Sequence, residues 1–65
     1  MKYYVVFQYD AFAEVMTPER YDDFASAMNR FHGICEFFPD RSFYVIEVSR
    51  RNAEVIASHR SNQLS

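Results

Sequence analysis

Aromatic side chains dominate this sequence: 65 residues contain seven phenylalanines and five tyrosines, but only one glycine. Each buried aromatic ring removes roughly 150–250 Å² from water, which at about 25 cal/mol per Å² favours burial by roughly 4–6 kcal/mol. With 49% hydrophobic residues the chain is not intrinsically disordered. We therefore predict one small domain over residues 1–65, close to the lower size limit for a single core.

The N-terminal residues predict a β-strand. Residues 2–9 alternate between two sets of side chains, both largely apolar, as in a strand covered on both faces. Residues 10–16 are ambiguous between a short helical turn and an extended connection. The chain turns polar too early, at Gln8, for a signal peptide, and no apolar run approaches the ~20 residues of a membrane span.

A helix is predicted to follow. Thr17-Pro18 is typical of a helix start, with a hydroxyl at the N-cap and proline at the first helical position. Apolar residues then recur at helical spacing from Tyr21 to Phe31. Gly33 is expected to end the helix in the left-handed conformation.

The second half of the chain predicts a hairpin and a second helix. Residues 34–38 and 43–48 indicate two strands, and Pro39-Asp40 suits the turn between them. A helix is expected over residues 49–60, and residues 61–65 are expected to be a frayed tail.

This order, β-α-β-β-α, predicts an α+β fold. A right-handed crossover followed by a hairpin gives a three-stranded antiparallel sheet in the order 1-3-2, with both helices on one face. Such a domain is a ferredoxin-like unit that lacks its last strand. The first strand would then be an unpaired edge, and the other sheet face would expose several of Tyr3, Tyr4, Val6, Phe37, Phe38, Tyr44 and Ile46.

Candidates for catalysis and metal binding are weak, and no cofactor is expected. His32 and Cys35 are three residues apart, but the predicted helix end at Gly33 lies between them, and no third group is evident to orient the histidine. With His59 they supply at most three soft ligands, without a recognised spacing. Cys35 is the only cysteine, so no intramolecular disulfide forms and a cytoplasmic location is expected. We predict a protein that is not an enzyme.

Acidic residues concentrate in the first half of the chain, although the net charge is only −2. An acidic surface repels nucleic acid and attracts a basic protein surface. The alternative is a solvated helix face. The densest block consists of Asp10, Glu14, Glu19, Asp22 and Asp23.

Small size, acidic charge and the predicted element order make the chain similar in format to the type I anti-CRISPR proteins, small inhibitors that phages encode against bacterial defence. The resemblance carries no sequence motif. It implies a DNA mimic that binds the DNA-handling surface of a Cas effector subunit in the host cytoplasm, with the five acids above as the contact set and no direct contact with nucleic acid.

Two alternatives stay open. One is a homodimeric structural or regulatory module that pairs through the exposed strand edge or the aromatic sheet face. The other is a weak RNA binder, since residues 41–48 superficially resemble the third-strand motif of RNA-recognition domains. Ser42, Val45 and Val48 stand where that motif has a glycine and two aromatic residues.

Overall fold

The computed structural model describes residues 1–9 and 14–61. Its elements follow the order β-β-α-β-β: β1 (Tyr3–Gln8), β2 (Glu19–Tyr21), α1 (Phe24–Phe37), β3 (Phe43–Val48) and β4 (Ala53–His59). The strands form one antiparallel sheet in the order β2-β1-β3-β4. Helix α1 packs against β1, β2 and β3.

The hydrophobic core lies between α1 and one face of the two inner strands. Alternation along each strand sends every second side chain toward the helix, and positions i, i+4 and i+7 of α1 face back toward the sheet. Val6, Phe43 and Val45 have no exposed surface at all. The buried residues are Tyr4, Val6, Met16, Ala27, Phe31, Ile34, Phe43 and Val45.

The first strand is central, so the prediction that it forms a bare edge is wrong. β1 pairs with β3 along its full length and with β2 on its other side. The segment predicted to start a helix at Thr17-Pro18 instead enters β2, whose three residues pair antiparallel with Tyr4–Val6. The helix begins at Phe24, where the carboxylate of Asp23 accepts a hydrogen bond of 2.9 Å from the backbone N–H of Ser26.

Gly33 does not end the helix, and the prediction of a strand over residues 34–38 is wrong. None of the described residues, Gly33 included, has a positive φ. Helix α1 continues to Phe37, and Ile34 extends its buried stripe. The Phe38 N–H closes the last turn on the Ile34 carbonyl at 2.9 Å. The free energy gained by burying Ile34 outweighs the small free-energy cost of one glycine within a helix.

The predicted helix over residues 49–60 is a strand. Ser49 and Asn52 exchange two backbone hydrogen bonds, of 2.7 and 3.4 Å, so that Arg50 and Arg51 form a two-residue hairpin loop from β3 to β4. The pairing register shifts between Val45 and Ile46, where Ile56 is the extra residue of a bulge on β4. Because of this extra residue, the apolar residues of β4 do not alternate strictly along the sequence. Their spacing therefore resembles that of a helix, which explains the wrong prediction.

The three-stranded sheet in the order 1-3-2 with two helices, and with it the ferredoxin-like unit, is therefore wrong. The α+β class is correct, and residues 43–48 do form an inner strand. Of the ambiguous segment 10–16, residues 10–13 lie outside the described residues, and 14–16 form neither helix nor strand. Of the predicted tail 61–65, only Ser61 is described; its backbone N–H donates to the Ser42 hydroxyl at 2.9 Å.

Replacing Gly33 by alanine tests the continuous helix. A Cβ atom at Gly33 meets nothing within 4 Å, so Gly33→Ala is expected to stabilise the domain by about 0.5–1 kcal/mol, measured by urea denaturation. Ala25→Gly, at an exposed position in the first turn of the helix, is the control and should destabilise the domain, although by less than a glycine in the helix interior does. A loss of stability in Gly33→Ala would mean that the helix ends at residue 33.

Candidate binding site

The sheet face opposite α1 is open: among the described elements, no helix or strand packs on it. Strand alternation determines its members, because directly paired residues share a face. We call this surface the open face. It is formed by Tyr3, Val5, Phe7, Arg20, Tyr44, Ile46, Val48, Ala53, Val55 and Ser58, with Tyr9 continuing β1.

Three aromatic rings cluster at one end of the open face. The Tyr9 N–H donates to the Ser42 carbonyl at 2.8 Å, which extends the pairing of β1 and β3 by one residue. Tyr9 and Tyr44 stack with ring centroids 4.9 Å apart, and Phe7 meets Tyr44 edge to face at 5.6 Å. Tyr9 is 65% exposed. The ring of Tyr9, at the outside of this stack, is therefore available to a partner, whereas Tyr44 is half-buried beneath it.

The opposite end of the open face combines a ring with a guanidinium group. The Cζ atom of Arg20 lies 4.0 Å from the centre of the Tyr3 ring, a cation–π contact. The Asp22 carboxylate is 3.5 Å from the Nε atom of Arg20, but both side chains are largely exposed. A pair of this kind contributes little to stability, so Arg20 can exchange Asp22 for an anionic group of a partner.

Two recesses lie at the ends of the open face, and arginines line both. The first, of about 600 Å³, includes Tyr3, Arg20 and Arg50. The second, of about 320 Å³, includes Tyr44 and Arg60. Among the described residues, no acidic side chain lines either recess. Tyr3 and Tyr9 mark the two ends and are six residues apart along one strand, a distance of roughly 20 Å.

The acidic strand residues face the helix side instead. The register places Glu19, Glu47 and Glu54 opposite or beside residues of that side. Glu19 pairs with Arg30 of α1 at 2.9 Å. A hydrogen bond of 2.7 Å from the Tyr21 hydroxyl, together with Arg30, holds the pKa of Glu19 below its usual value despite some desolvation. The described strands thus separate charge between the two faces of the sheet.

The predicted acidic contact set does not form one free surface. Asp10 lies outside the described residues, and Glu14 is exposed in the connection before β2. Glu19 is engaged by Arg30, and Asp22 lies beside Arg20. The N-cap hydrogen bond from the Ser26 backbone lowers the pKa of Asp23. A partner can reach Glu14 without breaking a side-chain contact, and to reach Asp22 it has to open only the exposed ion pair with Arg20.

The expectation that a helix end separates His32 from Cys35 is wrong. Since α1 runs through Gly33, His32 and Cys35 lie one turn apart on a continuous helix. Burial raises the pKa of the Cys35 thiol to about 11, which keeps it protonated at neutral pH and poorly nucleophilic. His59 contacts the Pro39 carbonyl at 3.2 Å instead. Within residues 1–9 and 14–61, no three histidine, cysteine or acidic side chains are grouped to hold a metal ion.

Comparisons with known proteins give no relative: no family model matches the chain, and no similar curated protein or solved structure is found. The described part of the chain contains no helix with the length and apolar character needed to cross a membrane.

Sequence reasoning found part of the open face. Tyr3, Tyr44 and Ile46 lie on it, whereas Tyr4 and Val6 face the helix. The expected residues Phe37 and Phe38 close the helix. The face was extended by the structure to Val5, Phe7, Tyr9, Arg20, Val48, Ala53, Val55 and Ser58. The members on β1 are every second residue from Tyr3, so the alternation of the strand predicts them. The members on β2 and β4 could not be predicted in this way, because helices were expected over those segments.

The role of Asp23 as an N-cap affects any test of the acidic contact set. Asp23→Ala is expected to lower the midpoint of thermal unfolding because it leaves the Ser26 N–H without its acceptor, whereas Asp23→Asn should retain the cap. Asp22→Ala is the adjacent control and should unfold like the parent protein. Circular dichroism melting curves measure all three.

The pH dependence has a defined sign. Because the folded pKa of Asp23 is lowered, its contribution is present above the unfolded pKa of about 3.9 and is lost as pH falls through the folded value. The difference between parent and Asp23→Ala should therefore shrink in acid. Equal melting of Asp22→Ala and Asp23→Ala at neutral pH would refute the cap. Binding through acids is better tested with Glu14→Lys and Asp22→Lys.

Proposed function

We propose that this chain is a non-enzymatic binding module that engages its partner through the open face. The partner is a macromolecule with anionic groups placed to meet both ends of that face. The observation that carries the proposal is the combination of an uncovered apolar sheet surface with arginine-lined recesses at each end.

The composition of the open face is that of an interface core. Such cores are rich in aromatic residues and arginine and poor in lysine, glutamate and aspartate. Arg20 is the single charged strand residue on the face, and no acidic strand residue of the described chain shares it. Val55, 54% exposed, extends the apolar surface to the outer strand. A partner that covers this face removes apolar side chains from water without burying unpaired carboxylates.

Charge argues against a second copy of the chain as the partner. Sheets that pack face to face lie nearly aligned, so the ends of one sheet meet the ends of the other. Both ends of this face carry arginines, and two copies would place like charges together. Edge pairing through β1 is no longer available, because β1 has neighbours on both sides. The outer strand β4 is interrupted by its bulge, which discourages edge pairing.

Inhibition of a Cas effector through the acidic contact set remains a prediction. The small size and the net charge that support this prediction are unchanged. The predicted element order, on which the resemblance to anti-CRISPR proteins also rested, was wrong. The geometry favours the open face, because Glu19 and Asp23 of that set are already engaged within the protein.

A single acid placed on the open face tests the proposal. Val55→Glu on the exposed outer strand is expected to leave the fold intact and to weaken partner binding by at least about tenfold, or ~1.4 kcal/mol, because it repels anionic groups and interrupts the apolar surface. Tagged protein is used to capture partners from lysate of the cells that encode it, with quantification by mass spectrometry.

Ala25→Glu on the exposed surface of α1 introduces the same charge away from the open face and should capture as the parent does. The partner should be released by salt. Equal capture by Val55→Glu and Ala25→Glu would contradict the proposal. Sedimentation velocity of the purified protein is expected to show a monomer; a dimer that Val55→Glu dissociates would make a second copy the occupant.

A further inference from the structure

The rings of the open face are concentrated where the arginines are. Tyr9 and Tyr44 line the recess that contains Arg60, and Tyr3 lines the recess that contains Arg20 and Arg50. Between the two ends the face is aliphatic, with Val5, Ile46 and Val55 paired across the strands. At one end the exposed ring of Tyr9 lies beside Arg60, and at the other Arg20 lies over one face of the Tyr3 ring, so each end combines an aromatic ring with a positive charge.

Planar rings beside guanidinium groups suit a ligand that alternates flat bases with phosphates. Bases stack on aromatic side chains regardless of sequence, and arginines meet the backbone. We infer that the occupant of the open face is a single-stranded nucleic acid, with bases on Tyr3, Tyr9 and Tyr44 and phosphates at Arg20, Arg50 and Arg60. This inference rests on the proposed function and names the class of its partner.

A single strand fits the open face better than a duplex does. In a duplex the base faces are covered by their neighbours, so only an unpaired strand presents them for stacking. The open face is a sheet surface, and none of the described helices projects from it to enter a groove. An oligonucleotide of about ten residues spans the roughly 20 Å between the recesses even at ~3.4 Å per nucleotide.

An acidic protein surface is the competing occupant. It would meet the arginines equally well, but it gives no reason for the rings to lie at the arginine ends rather than at the centre. The acidic strand residues Glu19, Glu47 and Glu54 belong to the helix side. The exposed carboxylate of Asp22 beside Arg20 is the acid that a phosphate has to displace at this face.

The number of arginines limits the salt dependence of binding. Three phosphate contacts on a single strand give a slope of log K against log salt of about −2. Stacking, which is insensitive to salt, has to supply the rest of the affinity. A much steeper slope would indicate binding by charge alone, away from the rings.

The test is fluorescence anisotropy with 5′-fluorescein-labelled ten-residue oligouridylate and oligothymidylate, at about 50 mM salt and above. The parent protein is expected to bind both. Tyr44→Leu should weaken binding by about tenfold or more, since base stacking on a ring is lost, while Tyr44→Phe, which keeps the ring, should stay within about twofold of the parent.

Arg60→Gln should weaken binding and make the salt slope less negative by about 0.7. Its matched control is Arg51→Gln, in the hairpin loop and outside both recess linings, which should leave the slope nearly unchanged. Circular dichroism verifies the fold of each variant. If Tyr44→Leu does not fold, Tyr9→Leu at the more exposed ring of the same stack replaces it and carries the same expectation.

Absence of binding by the parent protein, or equal binding by Tyr44→Leu and Tyr44→Phe, would overturn the inference. If no oligonucleotide binds but an acidic protein is captured in a manner that Val55→Glu abolishes, the open face is still the interface and only its occupant has been misassigned. If the parent binds neither, the proposed function falls as well.

Discussion

A single helix of 14 residues has to shield a sheet of four strands. At 1.5 Å per residue the helix is roughly 21 Å long and about 10–12 Å across with its side chains, while four strands at ~4.8 Å spacing make a sheet nearly twice as wide. The helix therefore covers β1, β2 and β3 on one face. Among the described elements, no helix or strand covers the other face of the sheet.

The same constraint explains the aromatic content and the distribution of charge. Rings on the helix side, such as Phe31 and Phe43, form the core, and rings on the other side pack against one another. On the helix side the ion pair between Glu19 and Arg30 joins β2 to α1, whereas the ion pair at the open face, between Arg20 and Asp22, is largely exposed. Among the described strand residues, the open face therefore carries Arg20 and no acid, and the proposal of an anionic partner rests on this distribution.

Local patterns predicted that the segments of the two inner strands are strands, but they did not predict the outer strands. Residues 2–9 and 43–48 carry apolar side chains on both faces, which is typical of strands inside a sheet, although β1 was expected at the sheet edge. β2 has only three residues, and Thr17-Pro18 before it imitates a helix start. Gly33 imitates a helix end, although burial of Ile34 carries the helix onward. For the same reason the sequence did not predict the members of the open face on β2 and β4, which join it only through pairing with β1 and β3.

Solvent access to individual rings in the free protein tests most directly whether α1 covers only one face of the sheet. A soluble gadolinium chelate broadens the NMR signals of exposed protons. Strong broadening is expected for the ring of Tyr9, intermediate broadening for the half-buried ring of Tyr44, and little for those of Tyr4 and Phe43, although Phe43 and Tyr44 are adjacent in sequence. Equal broadening of Phe43 and Tyr44, or shielding of both, would contradict a sheet that is covered by the helix on one face and open on the other.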